Sequence, residues 1–121
     1  MVYYAFAEIS SSLRKTKSQS FTNNSASKLK LRDVKGALLD TEFAMCEGDD
    51  NAKALFHQGQ AYMALHDIHV AVESFKKALT MEPNDAGIKK ELAAARKMIA
   101  DRRDQEKKAY QEKKAYSKMF Q

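Results

Sequence analysis

Few side chains in this chain are of the types that usually catalyse reactions or bind metals. Cys46 is the single cysteine, and the three histidines are His57, His66 and His69. A structural zinc site takes four ligands at regular spacings, so we interpret His66 and His69, far from Cys46, as residues of a helix–helix turn. A nucleophilic cysteine needs a base beside it, and no histidine is placed beside Cys46. We expect no metal site, no cofactor and no catalytic residue.

The composition favours an all-α protein of one domain. The chain has 121 residues with four glycines and one proline, which disfavours the turn-rich β classes. One cysteine cannot form an internal disulfide, and no basic segment followed by an apolar run marks a signal peptide. No apolar run approaches the roughly 20 residues that span a bilayer. We therefore expect a cytoplasmic protein without a membrane partner.

The charge distribution suits an acidic peptide partner at least as well as a nucleic acid. The net charge is +5, but basic residues concentrate before residue 36 and after residue 100, while residues 37–50 carry only acidic charges. Nucleic-acid binding is usually marked by a dense Lys/Arg stripe with stacking aromatic residues. The chain lacks such a stripe, so we expect no nucleic-acid partner.

Residues 51–85 carry the clearest structural pattern, that of two amphipathic helices joined by a short turn. Pro83 stops the second helix, and the segment has the length of a 34-residue tetratricopeptide unit. Small residues lie where the two helices must approach closely, and Tyr62 and Phe75 lie where a gap must be filled. The apolar positions recur at spacings of three and four: Leu55, Phe56, Gly59, Tyr62, Met63, Ile68, Ala71, Val72, Phe75, Ala78 and Leu79.

The same pattern recurs 34 residues upstream in a looser form. Asp33 precedes Asp67 by 34 positions, and Ala37 precedes Ala71 by the same offset. We predict a degraded hairpin in residues 15–50 and at most a short helix in residues 1–14. Residues 86–121 are predicted to form a capping helix with a charged tail, because an apolar stripe covers the last hairpin: Ile88, Leu92, Ala95 and Ile99.

Several segments extend this pattern into a family resemblance that covers about residues 13–121. LRKTKSQ, KGALLDTEFAM and PNDAGIKKE, with the run KALFHQGQAYMAL, resemble the tetratricopeptide region of the large immunophilins, and most closely the forty-kilodalton cyclophilin of plants. The resemblance implies a right-handed α-solenoid of helix hairpins with a long C-terminal capping helix. The isomerase domain and the first repeat of that family have no counterpart in this chain, so we expect a piece of a longer protein.

The resemblance also implies a binding function. In that family a groove binds the C-terminal Met-Glu-Glu-Val-Asp peptide of the ninety-kilodalton heat-shock chaperone through a carboxylate clamp. By position, Asn23 and Lys53 match a clamp asparagine and a clamp lysine, and His57 occupies the position of the clamp arginine. Histidine carries less positive charge near neutral pH and lacks the bidentate guanidinium geometry. The resemblance therefore predicts a chaperone-binding module with a weakened clamp.

The tail predicts a second contact. In related immunophilins a similar tail is implicated in chaperone and calmodulin contacts, and a basic helix suits calmodulin. The corresponding contact residues in this chain are Tyr110, Tyr116, Met119 and Phe120.

Two alternatives remain open from the sequence. One is an isomerase that is active only as a longer relative, for which this chain would show no activity. The other is a structural fragment that neither binds nor catalyses, since arrays of this kind usually need about three repeats for stability.

Overall fold

The computed structural model describes residues 2–48 and 51–120, and every regular element in them is an α-helix. The all-α prediction is therefore confirmed. Asp49 and Asp50, which the sequence analysis placed in the first inter-repeat loop, lie outside the described residues. In chain order the helices are α1 (Val2–Lys30), α2 (Val34–Cys46), α3 (Ala52–Ala64), α4 (Ile68–Met81) and α5 (Ala86–Met119).

The helices pack as consecutive antiparallel hairpins. The C-terminal half of α1 pairs with α2, α3 pairs with α4, and α5 packs against α4. Helix α2 contacts α3, and α1 and α5 also touch α3, so α3 lies at the centre of the stack. The polypeptide thus forms two hairpins closed by the first part of α5, as the repeat pattern predicts.

The second hairpin is held together by an aromatic ring against a glycine. The Phe75 side chain is completely buried, and its ring lies so close to Gly59 that a Cβ built there would be 2.6 Å from Phe75 Cδ1. Only glycine leaves room for this approach. Residues from α4 and α5 complete the core around the ring: Ile68, Ala71, Val72, Leu92 and Ala95.

The first hairpin packs the equivalent positions with small polar side chains. Ser25 and Thr41 stand 34 residues before Gly59 and Phe75 and are, like Phe75, fully buried. Each hydroxyl donates a hydrogen bond to a carbonyl of its own helix, Ser25 to Thr22 at 2.6 Å and Thr41 to Leu38 at 2.7 Å. A larger residue on α1 and a smaller one on α2 exchange volume across the interface, which explains how the degraded repeat keeps the same packing.

An ion pair reinforces the first hairpin. Lys28 Nζ on α1 lies 2.8 Å from Oδ2 of the buried Asp40 on α2. No donor in the described residues is aligned for a hydrogen bond to that oxygen, so the contact is chiefly electrostatic. The polar contact with Asp40 raises the pKa of Lys28, loss of hydration opposes the rise, and the charges of Asp40 and Asp33 add to it. The ion pair therefore stabilises the fold at neutral pH, and its contribution is lost only as the pH rises through this raised pKa.

Both hairpin turns have the same backbone geometry. Arg32 and His66 are exactly one repeat apart and both have φ of 63°, in the left-handed region. In the second turn the His66 N–H donates to the Met63 carbonyl and the Asp67 N–H donates to the Tyr62 carbonyl, at 3.0 and 2.9 Å. The first turn repeats both bonds. This is the Schellman arrangement that ends a helix, here without glycine.

Helix α1 differs from the sequence prediction in its length. We expected at most a short helix in residues 1–14, but α1 runs unbroken from Val2 to Lys30. No proline or glycine interrupts residues 2–30, and Ser10–Ser12 do not act as a cap. The N-terminal half projects beyond α2 with an exposed apolar stripe: Val2, Phe6, Ile9 and Leu13.

Helix α5 begins as predicted and then leaves the core. The Asp85 carboxylate accepts a hydrogen bond from the Ile88 N–H at 3.0 Å, which caps the helix. Ile88, Leu92 and Ala95 are buried against the last hairpin, while residues 100–120 are exposed throughout. Among the described residues, no helix offers an apolar stretch that could cross a lipid bilayer.

The contact between Gly59 and Phe75 generates a stability prediction. Gly59→Ala should lower the free energy of unfolding by about 1–3 kcal/mol, because the added methyl group displaces a ring that has no free space around it. Urea denaturation followed by circular dichroism measures the change. The control is Gly48→Ala, where an added Cβ meets nothing within 4 Å. Equal stability of the two variants would contradict the packing described.

The left-handed turn residues generate a second prediction of opposite sign. His66→Gly should raise the free energy of unfolding by about 1 kcal/mol, because glycine adopts positive φ without the steric penalty of a Cβ. Ala64→Gly, two residues earlier and within α3, should instead destabilise the protein by up to about 1 kcal/mol. Thermal melts of the two variants should move in opposite directions, and a parallel decrease would rule out relief of backbone strain at His66.

Candidate functional site

A groove of about 860 Å³ lies on the side of the molecule formed by α1, α3 and the start of α5. Helix α1 contributes Asn23 and the first turns of α3 contribute Lys53 and His57. The loop between α4 and α5, with the first turn of α5, closes the other end. Its apolar surface comes from Phe56, Met81 and Ile88. The groove is thus built from two repeats and the cap.

The structure brings together the three residues predicted from the resemblance. Asn23, Lys53 and His57 all line this one groove although Asn23 is 30 positions before Lys53 in the chain. Asn23 and Lys53 are exposed, and His57 is half-buried. Lys53 and His57 lie one turn apart on the same face of α3, as their spacing requires. Their role in binding remains a prediction.

His57 is held by neighbours on its own helix. Its Nδ1 lies 3.2 Å from Gln60 Oε1, and its ring is tilted against Phe56 with centroids 5.9 Å apart. Phe56 in turn contacts the Phe75 ring at 5.9 Å. The imidazole is therefore positioned from the hydrophobic core, and its hydrogen bond to Gln60 competes with any ligand that approaches Nδ1.

The charges of the groove are uneven along its length. Lys53 is the cation near α1, whereas Glu82 and Asp85 line the end near α5. The Asp85 carboxylate is already engaged as the cap of α5. A carboxylate ligand would be attracted toward the α1 end and repelled from the α5 end.

Asn51 is the groove residue that the sequence analysis missed. Its Oδ1 accepts the Ala54 N–H at 2.9 Å and so caps α3. Its Nδ2 donates to the hydroxyls of Ser18 at 2.8 Å and Thr22 at 2.7 Å, both on α1. The signal was present in part, because an asparagine before a helical segment predicts an N-cap; its bonds to α1 depend on tertiary packing.

The network around Asn51 extends to a third helix. The Ser18 hydroxyl donates to the Ala44 carbonyl of α2 at 2.9 Å, while Thr22 donates to the Ser18 carbonyl at 2.8 Å. Ser18 and Thr22 are both buried. These bonds fix α1, α2 and the start of α3 relative to one another, and with them the wall of the groove.

The predicted tail residues lie outside the groove. Tyr110, Tyr116, Met119 and Phe120 are each 65–79% exposed. Tyr116 and Phe120 stack with ring centroids 4.9 Å apart, which leaves a small aromatic patch at the end of α5. The contact with calmodulin or a chaperone stays a prediction for these residues.

The residues considered for metal binding are dispersed. His66 lies in the α3–α4 turn and His69 in the first turn of α4, both exposed, whereas Cys46 is the last residue of α2. In residues 2–48 and 51–120 no three His, Cys, Asp or Glu side chains are grouped to hold a metal ion.

The double role of Asn51 generates a prediction with an internal control. Asn51→Ala should lower the free energy of unfolding by about 2–3 kcal/mol, since it removes a cap and two cross-helix hydrogen bonds. Asp85→Ala, the equivalent cap one repeat later, should cost about 1 kcal/mol because it loses the cap alone. Chemical denaturation compares the two. Equal losses would show that the bonds from Asn51 to α1 contribute nothing.

Comparison with known proteins agrees with this architecture. A family model described as a tetratricopeptide repeat matches residues 52–85. The human peptidyl-prolyl cis-trans isomerase FKBP4 is 33% identical over 82 residues, which cover 68% of this chain and 18% of that protein. The peptidyl-prolyl cis-trans isomerase D of Eremothecium gossypii is 41% identical over 69 residues, which cover 57% of this chain and 17% of that protein.

A solved structure shares the fold. The first tetratricopeptide domain of Spaghetti (RPAP3), solved with the HSP90 peptide SRMEEVD bound, superimposes with a TM-score of 0.67 at 24% identity, covering 69% of this chain and 68% of that one. The chain spans less than a fifth of the length of the two isomerases that it matches. By its repeat, its helix order and these relatives, the chain is a tetratricopeptide-repeat domain homologous to peptidyl-prolyl cis-trans isomerases.

Proposed function

We propose that this domain binds the acidic C-terminal peptide of the ninety-kilodalton heat-shock chaperone in the groove between α1 and α3. The observation that carries the proposal is the meeting of Asn23, Lys53 and His57 in the lining of one groove. They come from two separate helices, so a ligand that contacts all three must lie across the repeat interface.

The chemistry of these side chains suits a carboxylate. Lys53 supplies a positive charge on an exposed side chain, and the Asn23 amide supplies neutral donors from the opposite wall. Hydrogen bonds to a charged acceptor typically contribute about 1.5–3 kcal/mol. Two fixed donors facing each other across a groove select a terminal carboxylate better than either could alone.

His57 makes this binding weaker than an arginine would. A guanidinium offers a permanent charge and a planar pair of donors, whereas the imidazole offers at most two donors and is already bonded to Gln60. The module is therefore a groove of the right shape with an incomplete set of charged donors.

The relatives support the proposal from a different direction. The RPAP3 domain that shares this fold was solved with an HSP90 peptide that ends in Glu-Glu-Val-Asp. The sequence segments that resemble the plant forty-kilodalton cyclophilin point to a co-chaperone module in the cytoplasm. We propose that isomerase activity in such relatives belongs to a domain other than this one, so a proline-isomerisation assay of this chain should give no rate above background.

The position of His57 generates the test. His57→Arg should strengthen binding of the peptide SRMEEVD about tenfold, because one charge-assisted contact is gained. Lys53→Ala should weaken binding by a similar factor. Isothermal titration calorimetry at low ionic strength measures both, with Lys77→Ala, an exposed lysine on α4 outside the groove, as the control for net charge.

Two outcomes would contradict the proposal. Tight wild-type binding with no gain in the His57→Arg variant would show that His57 does not occupy a clamp position. Absence of binding by both the wild-type chain and His57→Arg would leave the groove without this ligand.

A further inference from the structure

A second cavity of about 740 Å³ adjoins the groove on the side of α1. The two share Asn23, Asn51 and Lys53 in their linings, so they form one continuous depression. The second cavity adds Arg14 and Lys15 from α1, together with Glu47 from the end of α2. None of the residues predicted from the family resemblance other than Asn23 and Lys53 lies in it.

The second cavity exists because α1 is unbroken. Arg14, Lys15, Ser18, Thr22 and Asn23 recur at three-and-four spacing and so belong to one face of this helix. Ser18 and Thr22 are buried against α2 and α3, whereas Arg14 and Lys15 lie in the part of α1 that projects beyond them and are exposed. The helix thus carries its polar face from the core out along the groove.

The exposed apolar stripe of α1 does not compete for this face. Phe6, Ile9 and Leu13 lie on the opposite side of the helix, because 100° per residue places them about half a turn from Ser11, Lys15 and Ser18. The cationic side chains are therefore presented to the depression alone.

Charge distinguishes the two ends of the depression. Arg14, Lys15 and Lys53 outnumber Glu47 in the second cavity, whereas Glu82 and Asp85 outnumber Lys53 in the first. An anionic ligand anchored at Asn23 and Lys53 is thus drawn toward Arg14 and Lys15 and away from α5.

Distance sets the spacing of the anionic groups. Lys15 and Asn23 are eight residues apart on one helix, or about 12 Å along its axis at 1.5 Å per residue. An extended peptide covers that distance in about three to four residues. The depression thus fits a peptide with an acidic side chain three or four positions from the carboxylate held at Asn23 and Lys53.

We propose that Arg14 and Lys15 form a second anion-binding subsite, which takes an acidic side chain upstream of the terminal carboxylate of a bound peptide. The proposal rests on the peptide-binding function proposed above and names the specificity residues of that same site. The two cations add to the incomplete donor set left by His57, so that acidic residues within the peptide contribute alongside its terminus.

The experiment measures binding of SRMEEVD, and of a peptide with both glutamates changed to glutamine, to four proteins. These are the wild type, an Arg14→Ala/Lys15→Ala double variant, a Lys17→Ala control on the same helix outside both cavities, and His57→Arg. The double variant should bind SRMEEVD about tenfold more weakly at low salt, and Lys17→Ala should stay within about twofold of the wild type. The glutamine peptide should bind the wild type and the double variant equally, since the carboxylates that pair with Arg14 and Lys15 are absent.

The outcomes separate this subsite from the function on which it rests. Binding by the wild type that is unchanged in the double variant overturns the subsite and leaves the proposed function intact. A loss in the double variant that is the same for both peptides also overturns it, because the effect would then not involve the glutamates. No binding by the wild type or by His57→Arg overturns the proposed function and the subsite together.

Discussion

The side-chain amide of Asn51 is the interaction on which the groove depends. One end of the amide caps α3 and the other binds two hydroxyls of α1, so a single planar group fixes the start of one repeat against the first helix of the previous one. The Ser18 hydroxyl passes this constraint on to α2. Both cavities are lined by Asn51, and neither would keep its shape if α1 and α3 moved independently.

The two hairpins solve the same packing problem with different chemistry. The second uses the hydrophobic effect and a close contact between Gly59 and Phe75, which is specific in shape. The first uses Ser25 and Thr41, whose hydroxyls bond to their own helices, and supplements them with the ion pair of Lys28 and Asp40. Small self-satisfied hydroxyls can be buried at little cost, but they hold two helices together less strongly than a buried ring does. The clamp lysine and histidine positions thus lie on the better-packed hairpin.

The sequence predicts much of this fold because its signals are local. Helical periodicity, Pro83 and the capping residue Asp85 are sufficient to place α3, α4 and the start of α5. The continuity of α1 was not predicted because Ser10–Ser12 suggested a cap, and helix formation there depends on what is absent, namely proline and glycine. The left-handed conformation of Arg32 and His66 was also hidden, since neither residue is the glycine that usually marks such a turn.

The site was predicted less completely than the fold. The resemblance supplied Asn23, Lys53 and His57 by position, and their meeting in one groove follows from a repeat of 34 residues that brings equivalent helix faces to the same side. Asn51 escaped notice because its bonds to α1 join residues about 30 positions apart. Arg14 and Lys15 escaped notice for a related reason, since they enter the depression only if α1 extends without a break.

The exposed part of α5 has a geometric consequence for the groove. From Ile99 to Met119 the helix spans 20 residues, or about 30 Å at 1.5 Å per residue. A helix of that length behaves as a stiff spacer, unlike a glycine-rich linker that folds back on itself. It keeps the aromatic patch of Tyr116 and Phe120 at arm's length from Lys53 and His57, so the chain does not cover its own binding surface, and a partner at each end could be held at a set separation.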